Sequence, residues 1–317
     1  MRAVFLDFGT VSSGDLDTGP LERVVPGIVI HGQTAQADVP MRVAGFEAVF
    51  ANKSVIDRPT IAANPQLRLV ALTATGVDNV DVAAAREHGV AVCNLRDYCT
   101  PSVVQHVFAM LLALTHRLAD YHRLVASGQW QQAGQFSVFP YPIRELQGRM
   151  FGIVGFGALG SAVAEVARAF GMRVEIANRP GGPATSGRRD LDELLPDLDV
   201  LSLHCPLTDA TRGLVSRERL ARMKPDAVLI NTARGALVDT KALAEALRAE
   251  RLGGAGIDVL EREPPPAGHP LLDPSIPNLI VTPHIAWAAR ESRQRCVDEL
   301  ALNVESFLAG GRRNRIC

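Results

Sequence analysis

Three segments of this chain place a chargeable side chain just past an apolar run: Asn231-Thr232-Ala233-Arg234-Gly235, Gly256-Ile257-Asp258-Val259-Leu260-Glu261-Arg262-Glu263-Pro264 and Thr282-Pro283-His284-Ile285-Ala286-Trp287. An arginine fork binds a carboxylate through two parallel hydrogen bonds, and a histidine, which titrates near neutrality, takes or gives a proton. A glutamate on the far ring nitrogen fixes the tautomer and favours imidazolium. Arg234, Glu263 and His284 are therefore the candidate catalytic residues, although they stand 29 and 21 residues apart in the chain. Taken singly, each also has a plain structural reading: a surface ion pair, a helix N-terminal acid and a hydrogen-bonded strand-end histidine.

The run 151–154 leads directly into Gly155-Phe156-Gly157-Ala158-Leu159-Gly160 and then a helical stretch over 161–170. This is the G-x-G-x-x-G fingerprint in a strand-turn-helix setting: Gly155 for the tight turn, Gly157 for backbone amides approaching a pyrophosphate, Gly160 for close helix packing. The bare pattern is weak in a chain with 27 glycines, where a structural turn could produce it, so the setting carries the dinucleotide reading. Behind such a fingerprint, the proton handled by His284 is the one that accompanies hydride transfer. The next strand, 173–177, ends in Asn178-Arg179, where an acid would chelate the adenosine ribose. A neutral amide beside a guanidinium accepts a ribose 2′-phosphate, so the cofactor is NAD or NADP, leaning to NADP, with Arg188 and Arg189 on the following loop as further cations. A solvated Arg179 would leave either cofactor equally suited.

These residues need a scaffold that gathers strand ends. Buried-strand candidates at 4–6, 48–50, 69–72 and 90–93 alternate with helix-like runs, as in parallel βα units. A second series at 151–154, 173–177, 200–204, 227–231, 256–259 and 279–282 has the strand count of a doubly wound dinucleotide-binding sheet. In such a sheet the strand ends line one crevice, which is where Arg234, Glu263 and His284 converge. Between the two series, Thr100 reads as an N-cap before Pro101, opening a helix to Leu118 that is apolar nearly all round and so must be buried on most sides. Residues 128–148 form a turn-rich excursion with Trp130, Phe136, Phe139 and Tyr141, either a partner surface or a loop folded over its own domain. The helical spacing over 291–309 packs back on the first domain.

The chain's 317 residues fit about two domains. With 33 Lys and Arg against 34 Asp and Glu, no global basic field draws it to nucleic acid or anionic lipid. Five cysteines without C-x-x-C spacing (Cys93, Cys99, Cys205, Cys296, Cys317) fit reduced thiols in a cytoplasmic protein. Cys205 lacks a basic partner and reads as structural. The first residues read as a strand and not a signal peptide, and no apolar run reaches the roughly 18 residues that span a bilayer. His31, His88, His106, His116, His122 and His269 lack ligand spacing, so they belong to surface or core and no metal is expected.

Over essentially its whole length the chain resembles the D-2-hydroxyacid dehydrogenase family. The motifs are Thr75-Gly76-Val77-Asp78-Asn79-Val80-Asp81, the fingerprint, His204-Cys205-Pro206-Leu207-Thr208, Met223-Lys224-Pro225, the 231–235 segment and Pro283-His284. The resemblance implies an α/β fold of two Rossmann-like doubly wound domains: a discontinuous substrate or lid domain of residues 1–99 and 289–317, hinged to a dinucleotide-binding domain of residues 100–288. It implies Arg234, Glu263 and His284 as catalytic residues and Thr75, Gly76 and Val77 as the substrate-carboxylate loop. It sets Asp258 against the nicotinamide carboxamide and Cys205-Pro206 along the cofactor, and extends the cofactor set to Phe156, Ala158, Leu159, Thr211, Thr232 and Ala233. Ala51-Asn52-Lys53 and Ala286-Trp287 resemble the glycerate dehydrogenase/hydroxypyruvate reductase branch, which makes Lys53 a substrate-binding candidate. The implied activity is reversible, NAD(P)-dependent reduction of a small 2-oxo acid, hydroxypyruvate or glyoxylate, to the D-2-hydroxy acid; the apolar helix from Pro101 to Leu118 and the aromatic excursion after it point to a homodimer. Asn178 departs from the aspartate of many relatives. Two other readings stay open: a non-catalytic dinucleotide-sensing module, and the same chemistry on a bulkier 2-oxo acid, a phosphonate or formate.

Overall fold

Runs such as Ala48–Ala51, Leu69–Leu72 and Val200–Leu203 have every residue buried, the pattern of parallel strands covered by helices on both faces. The computed structural model describes residues 1–317 and divides them into two units, Met1–Cys99 with Trp287–Cys317, and Thr100–Ala286. The return to the first unit falls two residues earlier than the sequence places it.

The first unit runs β1 (Ala3–Phe5), α1 (Gly19–Val24), β2 (Val29–Ile30), α2 (Val39–Val43), β3 (Ala48–Ala51), α3 (Arg58–Ala62), β4 (Leu69–Leu72), α4 (Val82–Glu87) and β5 (Ala91–Cys93). Its five strands are all parallel in the order β2-β1-β3-β4-β5, a doubly wound order. Aspartates start two of the helices: Asp57 accepts the Thr60 amide (3.0 Å) and Asp81 the Ala84 amide (2.7 Å). The C-terminal helix Arg290–Leu308 buries Cys296, Val297, Leu300, Ala301 and Val304 in this unit, as its spacing predicts. The two-residue strand β2, both of whose residues are exposed, escapes the sequence reading although it lies in the apolar run Ile28-Val29-Ile30.

The second unit opens with α5 (Thr100–Thr115), α6 (Leu118–Ala126) and α7 (Gln129–Ala133). It continues as β6 (Met150–Val154), α8 (Ala158–Ala169), β7 (Arg173–Ile176), α9 (Leu191–Leu194), β8 (Val200–Leu203), α10 (Arg217–Leu220), β9 (Val228–Asn231), α11 (Thr240–Arg248), β10 (Gly254–Ile257) and β11 (Leu279–Val281). The six parallel strands lie in the order β11-β10-β9-β8-β6-β7. The chain therefore leaves β6 in both directions, to β7 on one side and β8 on the other, and that switch point opens a crevice at the carboxyl ends of the strands.

Helix α5 packs on α8 and on the strands β9 and β10, with Phe108 stacked against Phe151 (6.2 Å) and Phe170 (5.4 Å). It is shorter than its apolar run predicts. Arg117 adopts a left-handed conformation (φ 52°), so α5 ends at Thr115 and bends by 56° into α6. Thr100 lies inside the helix and does not cap it; its hydroxyl has no hydrogen-bond partner. No single helix is long and apolar enough to cross a membrane. Within the 128–148 excursion the aromatic rings fall into two environments. Tyr141 packs edge-on against Tyr121 (5.4 Å) under the Arg117 guanidinium, whereas Phe136 and Phe139 stand 96% and 83% exposed.

Candidate active site

At the switch point β6 turns through Gly155, whose φ is +94°. A methyl group there would lie 2.5 Å from the Cys205 amide nitrogen, and one on Gly160 would lie 2.0 Å from the Gly155 carbonyl oxygen, so neither glycine can be replaced without moving backbone. Gly157 differs: nothing lies within 4 Å of its missing side chain, which leaves open space before the N-terminus of the twelve-residue helix α8. The first amides of a helix lack internal partners and attract anions. Beyond β9, the buried Thr232 hydroxyl has no hydrogen-bond partner. An open amide cradle and an orphaned hydroxyl at one end of the sheet fit a dinucleotide phosphate and its ribose or nicotinamide.

The 231–235 turn after β9 is self-braced: Asn231 donates to the Arg234 carbonyl (2.9 Å) and accepts the Ala233 amide (3.0 Å). Gly235 fits tightly against the Leu260 and Glu261 backbone beyond the neighbouring strand β10. Arg234 thereby stands beside the segment that carries Glu263. One Glu263 oxygen accepts the Leu260 amide (2.9 Å), and the other lies 2.6 Å from His284 Nδ1. A carboxylate only accepts, so Nδ1 carries the hydrogen, and Nε2 is the nitrogen whose proton can be exchanged with a ligand.

Asp258 is 1% exposed, and its carboxylate does not stand open in the crevice. It accepts from the Thr282 hydroxyl (2.6 Å) and the amides of Ile285 (2.8 Å) and Ala286 (2.9 Å). The carboxylate that the resemblance sets against a nicotinamide carboxamide is seen here bracing the segment that bears His284. His106, set aside at the sequence level as surface or core, reaches Thr282 Oγ1 (3.0 Å) from α5.

Asn178 is engaged with its own loop: its amide donates to the Arg189 carbonyl (2.8 Å) and its Oδ1 accepts the Thr185 amide (3.0 Å). It therefore shapes the 179–189 loop, with Arg179 exposed and the Arg188 guanidinium 5.9 Å from the centre of the Phe156 ring. Cys205 is buried against Gly155, and burial pushes its thiol up to about 11, which removes it as a nucleophile. The Thr211 hydroxyl is turned into its own loop, donating to the Pro206 carbonyl (2.8 Å) and accepting the Thr208 amide (2.7 Å), so it holds the Cys205-Pro206 loop in shape where a direct cofactor contact is expected.

Within the first unit, Lys53 follows β3, and Thr75, Gly76 and Val77 follow β4, so the two loops share one sheet end. Asn79 ties them together by donating to the Asn52 (3.3 Å) and Ser54 (3.0 Å) carbonyls. Asp7, 3% exposed, accepts the amides of Asn52 (2.8 Å), Lys53 (2.7 Å) and Ser54 (2.7 Å) and so fixes the Lys53 loop. Both bracing residues escape the sequence reading. Asp7 has a visible signal, an acid directly after an apolar run; Asn79 has none outside its motif.

A family model described as D-isomer specific 2-hydroxyacid dehydrogenase, NAD binding domain, matches residues 108–286. The chain is 43% identical over 277 residues to a glycerate dehydrogenase of Methylorubrum extorquens, covering 87% of each protein. It is 37% identical over 316 residues to a hydroxypyruvate reductase of Blautia hydrogenotrophica, covering 98% of each. The crystal structure of the TT0316 protein from Thermus thermophilus superposes with a TM-score of 0.87 at 36% identity, covering the whole of both chains.

Proposed function

Since the chain belongs to the D-isomer specific 2-hydroxyacid dehydrogenase family, we propose that it reduces a small 2-oxo acid, hydroxypyruvate or glyoxylate, reversibly to the D-2-hydroxy acid. It is an oxidoreductase that uses a nicotinamide dinucleotide. The observation that carries the reading is His284 Nδ1 at 2.6 Å from Glu263, at the carboxyl end of a doubly wound sheet whose fingerprint turn lies at the switch point.

The cofactor supplies the hydride when bound. Arg234 holds the substrate carboxylate by its planar fork and keeps the carbonyl carbon in one orientation. His284 gives its Nε2 proton to the carbonyl oxygen as negative charge develops there, and Glu263, holding Nδ1, keeps Nε2 turned to the substrate. In the oxidative direction His284 takes the hydroxyl proton back. Lys53, Thr75, Gly76 and Val77 serve as further substrate-binding groups on the first unit, which acts as the substrate domain.

Three finer readings belong to the same proposal. The cofactor is NADPH at least as readily as NADH, because the 178–179 position offers no carboxylate to repel a 2′-phosphate, and Arg179 and Arg188 flank it. The enzyme is a homodimer whose second copy covers Phe136 and Phe139. It works in the cytoplasm, where its five free cysteines stay reduced.

Following the absorbance of NADH and of NADPH with glyoxylate, hydroxypyruvate, pyruvate and longer 2-oxo acids tests the function. The expected result is fastest oxidation with hydroxypyruvate or glyoxylate, with NADPH no worse than NADH. Absence of oxidation with every acid would make the chain a binding module; preference for a bulky acid, or for NADH alone, would overturn the substrate or the cofactor reading separately.

A further inference from the structure

His284 has a φ of +56°, in the left-handed region that a side chain with a Cβ rarely adopts. Such a backbone persists only where its surroundings fix it on several sides. Here the His284 amide donates to the carbonyls of Asp258 (2.8 Å) and Thr282 (3.0 Å), and the next two amides donate to the Asp258 carboxylate (2.8 and 2.9 Å). The Ser102 hydroxyl of α5 holds the Ala286 carbonyl (2.6 Å). The orientation of the carboxylate is thus the orientation of the loop.

That carboxylate is itself held by a chain of hydrogen bonds whose direction is fixed. Thr282 has a single hydroxyl hydrogen, and it goes to Asp258 Oδ1 (2.6 Å) because a carboxylate can only accept. Thr282 Oγ1 must then accept at its contact with His106 Nε2 (3.0 Å), which makes His106 the donor and sets its Nε2–H tautomer. The same nitrogen lies 3.5 Å from Asp258 Oδ1. His106 sits in the middle of α5, a helix packed on β10 and β11, so the chain is anchored in the core of the unit and not in a loop.

We propose that His106 is a positioning residue for His284: through Thr282 and Asp258 it locks the 282–286 segment in the strained conformation that aims the imidazole. This rests on the reading of His284 as proton donor. His106 meets neither substrate nor cofactor in this role, so its loss acts on turnover through His284.

The test is a double-mutant cycle on the full-length enzyme, with kcat and KM measured for the wild type, His106→Phe, His106→Gln, His284→Gln and the pair His106→Phe with His284→Gln. His106→Phe fills the space without a donor and should lower kcat about tenfold or more with KM within about twofold, while His106→Gln, whose amide can reach Thr282, restores most of the loss. In the His284→Gln background the His106→Phe substitution should cost nothing further. An unchanged kcat in a folded His106→Phe enzyme, failure of His106→Gln to restore it, or an equal loss in both backgrounds would overturn the proposal. If His106→Phe does not fold, Thr282→Val cuts the same chain at its next link and is read by the same cycle. Full turnover by His284→Gln alone would instead sink the underlying assignment of His284.

Discussion

Arg234 is braced by Asn231 and packed beside the Glu263 segment, so a substitution at its guanidinium tests chemistry with little change in the turn. A lysine keeps the charge but loses the two-pronged plane that orients a carboxylate. Arg234→Lys is expected to lower kcat/KM by on the order of 2 kcal/mol of transition-state stabilisation and to raise KM for the oxo acid. An unchanged kcat/KM would mean that Arg234 does not touch the substrate. At this scale the sequence is legible where chargeable residues come shortly after neighbouring parallel strands: the expected pairing of Glu263 with a His284 ring nitrogen is present, because parallel sheets collect their carboxyl ends. It is illegible where a residue acts from another layer. Nothing in the spacing of α5 tells that His106 meets Thr282, 176 residues further on, since that contact depends on how the helix lies across the sheet. Asn178 and Thr211 show the converse: their types fit a cofactor contact, yet their hydrogen-bonding groups hold their own loops.

Strand β8 ends in Ser202-Leu203 and runs straight into His204; continued alternation puts Ser202 and His204 on one face, where Ser202 Oγ lies 2.8 Å from His204 Nε2. Burial pushes His204 down from 6.5 to about 4. The folded protein therefore keeps this imidazole neutral between those values while the unfolded chain takes up a proton, so stability is fully present above pH 6.5 and falls as the pH drops toward 4. The contribution is up to about 3 kcal/mol. Urea unfolding across this range should show a shallower acid decline for His204→Gln than for the wild type; parallel declines would show that His204 is not a source of the acid sensitivity. Among elements, the ten longer strands and the fingerprint helix are readable from apolar runs and glycine spacing. The break between α5 and α6 is not, because the apolar run continues through Arg117 while its backbone turns left-handed. The edge strand β2 lies in the short β-branched run Ile28-Val29-Ile30, a signal the sequence reading missed.

At the scale of the whole molecule, the two units each form one parallel sheet, and the 128–148 excursion leaves two phenylalanines in solvent. In the proposed homodimer a second copy covers these two rings. Replacing both, Phe136→Asp with Phe139→Asp, should convert a species of twice the chain mass into one of the chain mass in sedimentation equilibrium. A wild type already at the chain mass, or a dimer indifferent to the replacement, would remove this surface from the account. The aromatic content of the excursion is visible in the sequence, whereas which rings face solvent is decided by Tyr141 packing onto Tyr121. In His284→Gln the ring that pairs with Glu263 is gone while the fingerprint turn at Gly155 and helix α8 are untouched. Turnover of the oxo acid, measured with the dissociation constant of NADPH, should fall at least about 100-fold with cofactor affinity nearly unchanged. Turnover close to that of the wild type would contradict the assignment of His284 as the proton donor.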